Sequence, residues 1–485
     1  MDELAFSDAT SLVARIKSKE ISSLELLEHY LDRIDKYNNQ VNAIVGTQVD
    51  VAMARAKAAD EALAKGEDWG PLHGLPMTVK ESFNIEGMPT TWGDPSYKDN
   101  IASEDAVACK RLQDAGAVIF GKTNVPIYLA DFQSYNAIYG TTNNPHNLDC
   151  IPGGSSGGAA AALAAGFTGL ELGSDIGGSI RNPAHYCGVF GHKPTWGTLP
   201  MRGHSLEDDV SPPDISVIGP LARSAEDLKL VMGIVGGADE IHQPGWTLSF
   251  GEDKKADLSE YKVAVWANDE IAPVDATVEQ RVLDIAALVA EAGGQVNYDI
   301  RPDFDAAESH KRYSQLLHSA LSVRQSDEMF EANLKRLQGL KRDDTSQLAE
   351  VTRAATLYFK DWYSFNESRN KMRWAWHEYF KDVDILLAPV CMTSAFKHDH
   401  NPRLSQRMID VNGTSVNYFS QVFWSGLTGV SYLPSTVVPT GLDSQGLPIG
   451  VQIIGREMGD LITIEFARKI AEQIGGFVPP AAYQD

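Results

Sequence analysis

The 485-residue sequence is poor in cysteine: Cys109, Cys150, Cys187 and Cys391 are its only four, and no two form a CxxC pair. That excludes a disulfide-stapled fold, and reduced thiols are expected. A long apolar run is also missing; the longest, around Ala159 to Phe167, falls far below the roughly 20 residues that cross a bilayer. Basic charge is scarce, with 42 Lys and Arg against 65 Asp and Glu, so the formal charge is −23. Such a chain repels phosphate backbones and anionic headgroups, and no local basic patch offsets the mean field; neither nucleic acid nor membrane is expected as a partner. The start, Met1-Asp2-Glu3-Leu4, has neither the basic nor the apolar segment of a secretory leader. A cytoplasmic protein is therefore expected.

What is present reads as a folded chain, with 43% hydrophobic and 22% charged residues and no low-complexity tract. Leu24, Leu27, Leu31 and Ile34 recur at helical spacing, and Ser22 with Glu25 has the form of a capping box. A second, alanine-rich helix is expected over 51–65, ended by Gly66. From Leu72 to Pro200, short apolar runs such as Leu75 to Val79 and Ala117 to Phe120 alternate with glycine-rich turns, which predicts an α/β core. Tyr261 to Trp266, Thr277 to Ala292 and Gln295 to Ile300 read as a βαβ unit. Residues 304–380 are mostly helical in composition, and Ile385 to Pro389, Ser435 to Pro439 and Ile449 to Ile454 return to strand. A last helix is expected from Asp460, as its N-cap, to Gly475.

Two segments crowd glycine around serine: Pro152-Gly153-Gly154-Ser155-Ser156-Gly157-Gly158 and Gly173-Ser174-Asp175-Ile176-Gly177-Gly178-Ser179-Ile180-Arg181. Glycine permits backbone conformations and close approaches that side chains forbid. A hydrolase acting on a carboxyl derivative needs a nucleophilic hydroxyl, a base, and N–H donors for the developing oxyanion. Ile176, Gly177, Gly178 and Ser179 could supply all the donors. Either segment alone is equally a tight turn or a phosphate-binding loop.

The chain strongly resembles the amidase signature family, in GGSSGGAAAALAAG followed by LGSDIGGSIRNPAHYCGVFGHKPTWG. The resemblance takes in GPLHGLPMTVKESF, GAVIFGKTNVP, NNPHN and GPLARSAEDL, about residues 70 to 225, with a weaker echo in DILLAPV and GLPIGVQIIG. It implies one domain over 1–485: an N-terminal helical segment (1–66), the catalytic core (about 70–225), and a helical region (about 304–380) contributing to a substrate pocket. The implied fold is α/β, a large mixed β-sheet covered on both faces by many helices. It also implies that Ser179 is the nucleophile, that Ser155 is a bridging serine which in relatives follows a cis peptide, and that Lys80 is the base. Ile176 to Ser179 become the oxyanion hole, with Ser156, Asp175 and Arg181 supporting. No metal or other cofactor is implied.

Chemistry agrees. A serine hydroxyl does not ionise at neutral pH, so a base must take its proton. Lysine does this only as the neutral amine, and an exposed lysine titrates near ~10.4, so Lys80 must be desolvated. Its apolar neighbours, Leu75-Pro76-Met77-Thr78-Val79, suit burial. Lys122 is the rival base; the resemblance favours Lys80.

Other patterns compete. Gly153-Gly154-Ser155-Ser156-Gly157 fits a GxSxG nucleophile elbow, but that leaves the second glycine-serine segment unexplained and points to no histidine partner. Ser394-x-x-Lys397 lacks its companion motifs, and His398-Asp399-His400 lacks a third metal ligand.

Trp92, Phe132, Tyr135, Phe423 and Trp424 are candidates for an acyl-group pocket or, equally, for core. The function expected is hydrolysis of a small, aryl or otherwise apolar amide, or of a related ester, through an acyl-enzyme. The partner is then a small-molecule amide, with a homodimer left open. The alternatives are the glutaminase subunit of a transfer-RNA-dependent amidotransferase and a non-catalytic binding protein of the same fold. Against the former, the run Tyr418 to Thr428 carries aromatic bulk where relatives of that type place polar recognition of glutamine.

Overall fold

The computed structural model describes residues 3–207 and 209–484; Met1, Asp2, Asp208 and Asp485 lie outside the described residues. At the N-terminal end the helix Ser23–Val41 starts at the expected capping box, Ser22 accepting from the Glu25 N–H while the Glu25 carboxylate accepts from the Ser22 N–H. Leu26, Leu27 and Tyr30 bury one face of it; a leucine taken fully out of water contributes about 2 kcal/mol. The alanine-rich helix follows as Val49–Ala64.

An eight-stranded sheet forms the centre, in the order Gln295–Asn297, Lys262–Val265, Ile385–Pro389, Pro448–Ile454, Ser435–Leu442, Phe190–Lys193, Val217–Ala222, Glu171–Asp175. The first three strands pair in parallel, with the helix Ala276–Glu291 joining Lys262–Val265 to Gln295–Asn297 as the expected βαβ unit. The remaining pairings are antiparallel, so the sheet is mixed. Both faces are covered. Along the fully buried strand Ile385–Pro389, Ile385 and Leu387 enter one hydrophobic cluster while Leu386 and Ala388 enter another. That alternation follows from the two-residue period of a strand, and it explains why this sequence reads as a continuous apolar run.

A separate three-stranded sheet holds Val118–Thr123 between Ile44–Thr47, antiparallel, and Pro76–Lys80, parallel. Thr78 of this sheet donates through both its amide and its hydroxyl to residues of the 168–171 segment: the amide to Thr168 Oγ1 at 2.9 Å and the hydroxyl to Glu171. The end of one sheet is thereby held against the edge strand of the other.

One helix start departs from expectation. The last helix, Asp460–Ile474, has Gly459 at its N-cap, and the Asp460 carboxylate instead accepts from the Thr195 amide at 2.8 Å and contacts His192 Nε2 at 3.1 Å. A buried carboxylate with strong donors in reach satisfies those before a helix end. Between residues 304 and 380 lie the helices Ala306–Ser322, Asp327–Gly339, Gln347–Ala354 and Phe359–Tyr379. Among the described residues no helix is long and apolar enough to cross a membrane.

Candidate active site

The two glycine-serine segments and Lys80 meet where the two sheets join. Lys80 is the last residue of its strand, Ser155 lies just before the buried helix Gly157–Ala164, and Ser179 lies between the edge strand Glu171–Asp175 and the helix Arg181–Cys187. The Gly154–Ser155 peptide is cis. Glycine is required in the first segment by contact: a Cβ on Gly154 would stand 2.4 Å from the Asp131 carbonyl oxygen, and one on Gly158 2.3 Å from the Asn124 nitrogen.

Lys80 Nζ is fully buried and contacts three serine hydroxyls, Ser155 at 2.7 Å, Ser156 at 2.9 Å and Ser174 at 2.9 Å. Burial pulls its pKa down to about 7, against the opposing pull of Asp175 and Glu171. At pH 7.5 an unshifted lysine is neutral in roughly one molecule in a thousand, whereas one titrating near 7 is mostly neutral. A neutral amine keeps two N–H donors and gains a lone pair, so one of the three contacts must reverse, with a serine hydroxyl donating. The Ser156 hydroxyl donates to the Ser174 carbonyl at 3.3 Å, leaving Ser155 or Ser174 to fill that role. Ser155 makes the shortest contact.

Ser179 joins this group through the backbone. Its carbonyl accepts from the Ser156 amide at 3.1 Å, while among the described residues its hydroxyl has no hydrogen-bond partner. Lys122, the rival base, points elsewhere: its amine donates to the carbonyls of Pro89 at 2.7 Å and Glu81 at 3.3 Å and to Thr90 Oγ1 at 2.9 Å. Three oxygen acceptors match the three donors of an ammonium, and none belongs to the glycine-serine segments.

Asp175 and Arg181 form a buried two-point pair, Nε to Oδ2 at 3.0 Å and Nη2 to Oδ1 at 2.9 Å. Burial works to raise the Asp175 pKa, but the charge and hydrogen bonds of Arg181 prevail and hold it at about 2. The same carboxylate accepts from the amides of Gly178 at 2.8 Å and Ile180 at 3.1 Å. The other Arg181 nitrogen, Nη1, reaches the Ser425 carbonyl, Thr428 Oγ1 and Gln452 Oε1. This arginine ties the loop to the helix Val422–Gly429 and to the central strand Pro448–Ile454.

The expected row of four oxyanion donors is therefore interrupted. The Gly178 N–H is committed to Asp175, which leaves the Ile176, Gly177 and Ser179 N–H groups without acceptors among the described residues.

The five aromatic candidates separate. Trp424 is buried with its Nε1 on the Ala272 carbonyl, and Phe423 and Phe132 join the same hydrophobic cluster; the first two serve as core, as side chains with no free face must. Phe132 adjoins the contact surface of Gly154 through its own backbone. Trp92 is buried, donates to the Ser82 carbonyl and lies under the Arg324 guanidinium at 4.2 Å. Tyr135 accepts from Arg407 and stacks on His400.

Sequence reasoning missed Ser174 as the third hydroxyl on Lys80, although it lies in the singled-out segment. It also missed Tyr313 and Ser425, which hold the carbonyls of Ile176 and Gly177 at 2.9 and 2.8 Å and which no motif marks.

Comparison with known proteins identifies the family. The chain is 32% identical to an indoleacetamide hydrolase of Bradyrhizobium diazoefficiens, covering 96% of this chain and 86% of that one. It is 30% identical to a glutamyl-tRNA(Gln) amidotransferase subunit of Carboxydothermus hydrogenoformans, over 96% and 97%. The crystal structure of a bacterial aryl acylamidase of the amidase signature family superposes with a TM-score of 0.80 at 26% identity, over 99% and 97% of the two chains. The Amidase family profile matches residues 25–463, and the chain belongs to that family.

Proposed function

We propose that the protein hydrolyses the C–N bond of a small carboxamide with an aryl or otherwise apolar group, through an acyl-enzyme on Ser179. The observation that carries this reading is the buried Lys80 amine, 2.7 Å from Ser155 and mostly neutral above pH 7. As Ser179 Oγ attacks the carbonyl carbon, Ser155 takes its proton and passes its own to Lys80 Nζ. The carbonyl oxygen, now negative, is met by free backbone N–H groups in the 176–179 loop. When the tetrahedral adduct collapses, the C–N bond breaks and the proton returns through Ser155 to the departing nitrogen. Water then attacks the Ser179 ester, loses its proton to the same relay, and releases the carboxylic acid.

Purified protein alone is expected to release amine from simple aryl amides. Ser179→Ala is expected to lower turnover by at least about four orders of magnitude. Retention of activity in that variant would remove Ser179 from the nucleophile's place.

Similarity to the amidotransferase protein over nearly the whole of both chains supports a second reading, a glutaminase that hands ammonia to a partner. Its signature is glutamine hydrolysis that appears only with partner proteins, with no turnover of aryl amides by the chain alone.

A further inference from the structure

The peptide planes of the loop after Asp175 are held in different ways. In a trans peptide the C=O and the following N–H point in opposite directions, so gripping one end aims the other. The Gly177–Gly178 plane is gripped at both ends, its C=O by Ser425 Oγ at 2.8 Å and its N–H by Asp175 at 2.8 Å. The Gly178–Ser179 plane is held at its C=O by the Asn182 amide at 2.6 Å, and its N–H is open. The Ile176–Gly177 plane is held at its C=O by the Tyr313 hydroxyl at 2.9 Å, and its N–H is open too. Two of the three planes thus present free donors, and one of those two depends on a side chain 137 residues away in sequence.

Tyr313 is itself closely set. It belongs to the helix Ala306–Ser322 and is fully buried. Its ring lies against glycines of the helix Val422–Gly429: a Cβ on Gly426 would stand 2.5 Å from the ring and one on Gly429 3.1 Å. No larger residue fits at Gly426 without displacing the ring. Burial raises the phenol's pKa well above its ordinary value, so the hydroxyl remains a donor throughout the working range of pH.

We propose that Tyr313 is a positioning residue for the reaction: by fixing the Ile176–Gly177 peptide it aims the Gly177 N–H at the carbonyl oxygen that becomes negative when Ser179 attacks. The proposal rests on the acyl-enzyme reading above. It assigns to the helical segment beyond residue 304 a part in transition-state stabilisation, delivered through one hydrogen bond. Ser425 grips a plane whose N–H faces Asp175, and so serves loop stability.

The test is Tyr313→Phe, which keeps the ring against Gly426 and Gly429 and removes only the hydroxyl. Loss of a whole oxyanion donor costs about 10²–10³ in rate; a donor still present but no longer aimed is expected to cost about tenfold in kcat, with KM within about twofold. The rate at which an alkyl fluorophosphonate labels Ser179 is expected to fall in parallel, because its P–O oxygen occupies the same position. Thermal unfolding and circular dichroism establish that the variant folds; Tyr313→Trp, which cannot fit against Gly426, provides the contrasting case of a folding defect. An unchanged kcat and labelling rate in folded Tyr313→Phe, or a rise confined to KM, overturns the proposal while leaving the nucleophile in place. Failure of the wild-type protein to label at Ser179 overturns the acyl-enzyme reading and this proposal with it.

Discussion

From Cys150 to Thr195 every residue is buried except the half-buried Ile176, whereas from Val323 to Leu348 none is buried. The first stretch carries the serines and the loop amides; the second contains the helix Asp327–Gly339, with Met329, Phe330 and Leu334 exposed. Exposure of single apolar side chains is ordinary, but a region where every residue is exposed or half-buried tolerates change, because a substitution there meets little besides water. In the buried stretch each atom has neighbours within van der Waals reach, and position is fixed from all sides. The contrast separates a scaffold that must hold a reactive amine in place from a surface free to vary around it.

Two lysines, buried like that stretch but outside it in sequence, test the contrast most severely. Both Lys80 and Lys122 are buried on neighbouring strands, and burial lowers both pKa values, to about 7 and about 8. Only Lys80 faces hydroxyls of the glycine-serine segments. Lys80→Ala is expected to reduce kcat/KM on an aryl amide by about 10³ or more. Lys122→Ala is expected to cost about 2–3 kcal/mol of stability, by leaving buried carbonyls unpaired, with kcat changed less than about tenfold in the folded fraction. Steady-state kinetics alongside thermal melts separate the two. A reversed order of kinetic damage would transfer the base's role to Lys122.

Close packing around the first segment gives the next largest effect. In Gly158→Ala the new methyl meets the nitrogen and carbonyl of Asn124 at 2.3 and 2.6 Å, both backbone atoms. Something must shift, and the cost is expected to reach about 3 kcal/mol or more, read as a lowered melting midpoint. Because Gly158 lies three residues beyond Ser155, activity should fall as well. An unaffected melt would show that the buried stretch gives way more readily than its packing indicates.

Legibility in the sequence follows the same division. Where a backbone approach bars a Cβ, the requirement is written locally as glycine; where chemistry needs a hydroxyl beside it, serine appears, and the segments around Ser155 and Ser179 could be picked out. Lys80 was named by the family resemblance; its apolar neighbours, Leu75 to Val79, were compatible with burial but did not single it out. The alternation of apolar runs and helical periods gave the α/β class; the strand Ile385–Pro389 matches its expected run, and Pro448–Ile454 begins one residue before the expected Ile449. What failed to show was contact between distant segments. Tyr313 lies 137 residues from Ile176 and Ser425 lies 248 from Gly177, and neither has a neighbour in sequence that signals its partner. Trp424 and Phe423 went into core because aromatic composition does not distinguish a pocket wall from a packed interior. Asp460 had the form of a cap, yet His192 and Thr195, over 260 residues away, claim its carboxylate.

A pH profile examines the buried region without altering it. In the proposed mechanism Lys80 works as the neutral amine, so protonation removes activity; kcat/KM is expected to rise with pH through about 7, and to fall roughly tenfold per unit below it. Glu171 lies near enough to affect Lys80, and burial raises its own pKa to about 8 against the opposing pull of hydrogen bonds and of Lys80. Asp175 stays ionised throughout, held at about 2 by Arg181 despite its burial. A rate optimum near pH 5 would rule out a neutral amine as the base.

The smallest expected effect belongs to the exposed stretch and has the opposite sign. Gly339 ends the helix Asp327–Gly339, and a Cβ built on it meets nothing within 4 Å. Its φ is not positive, so alanine fits the backbone without strain. Replacing glycine by alanine in such a position reduces the entropy of the unfolded chain, and Gly339→Ala is expected to stabilise by about 0.5 kcal/mol with kcat and KM unchanged. The same substitution type thus carries opposite signs at positions 158 and 339, which denaturant midpoints of the two variants resolve directly. Destabilisation by Gly339→Ala would mean that this helix face is covered in solution, and the contrast between a packed core and a free surface would then fail at its exposed end.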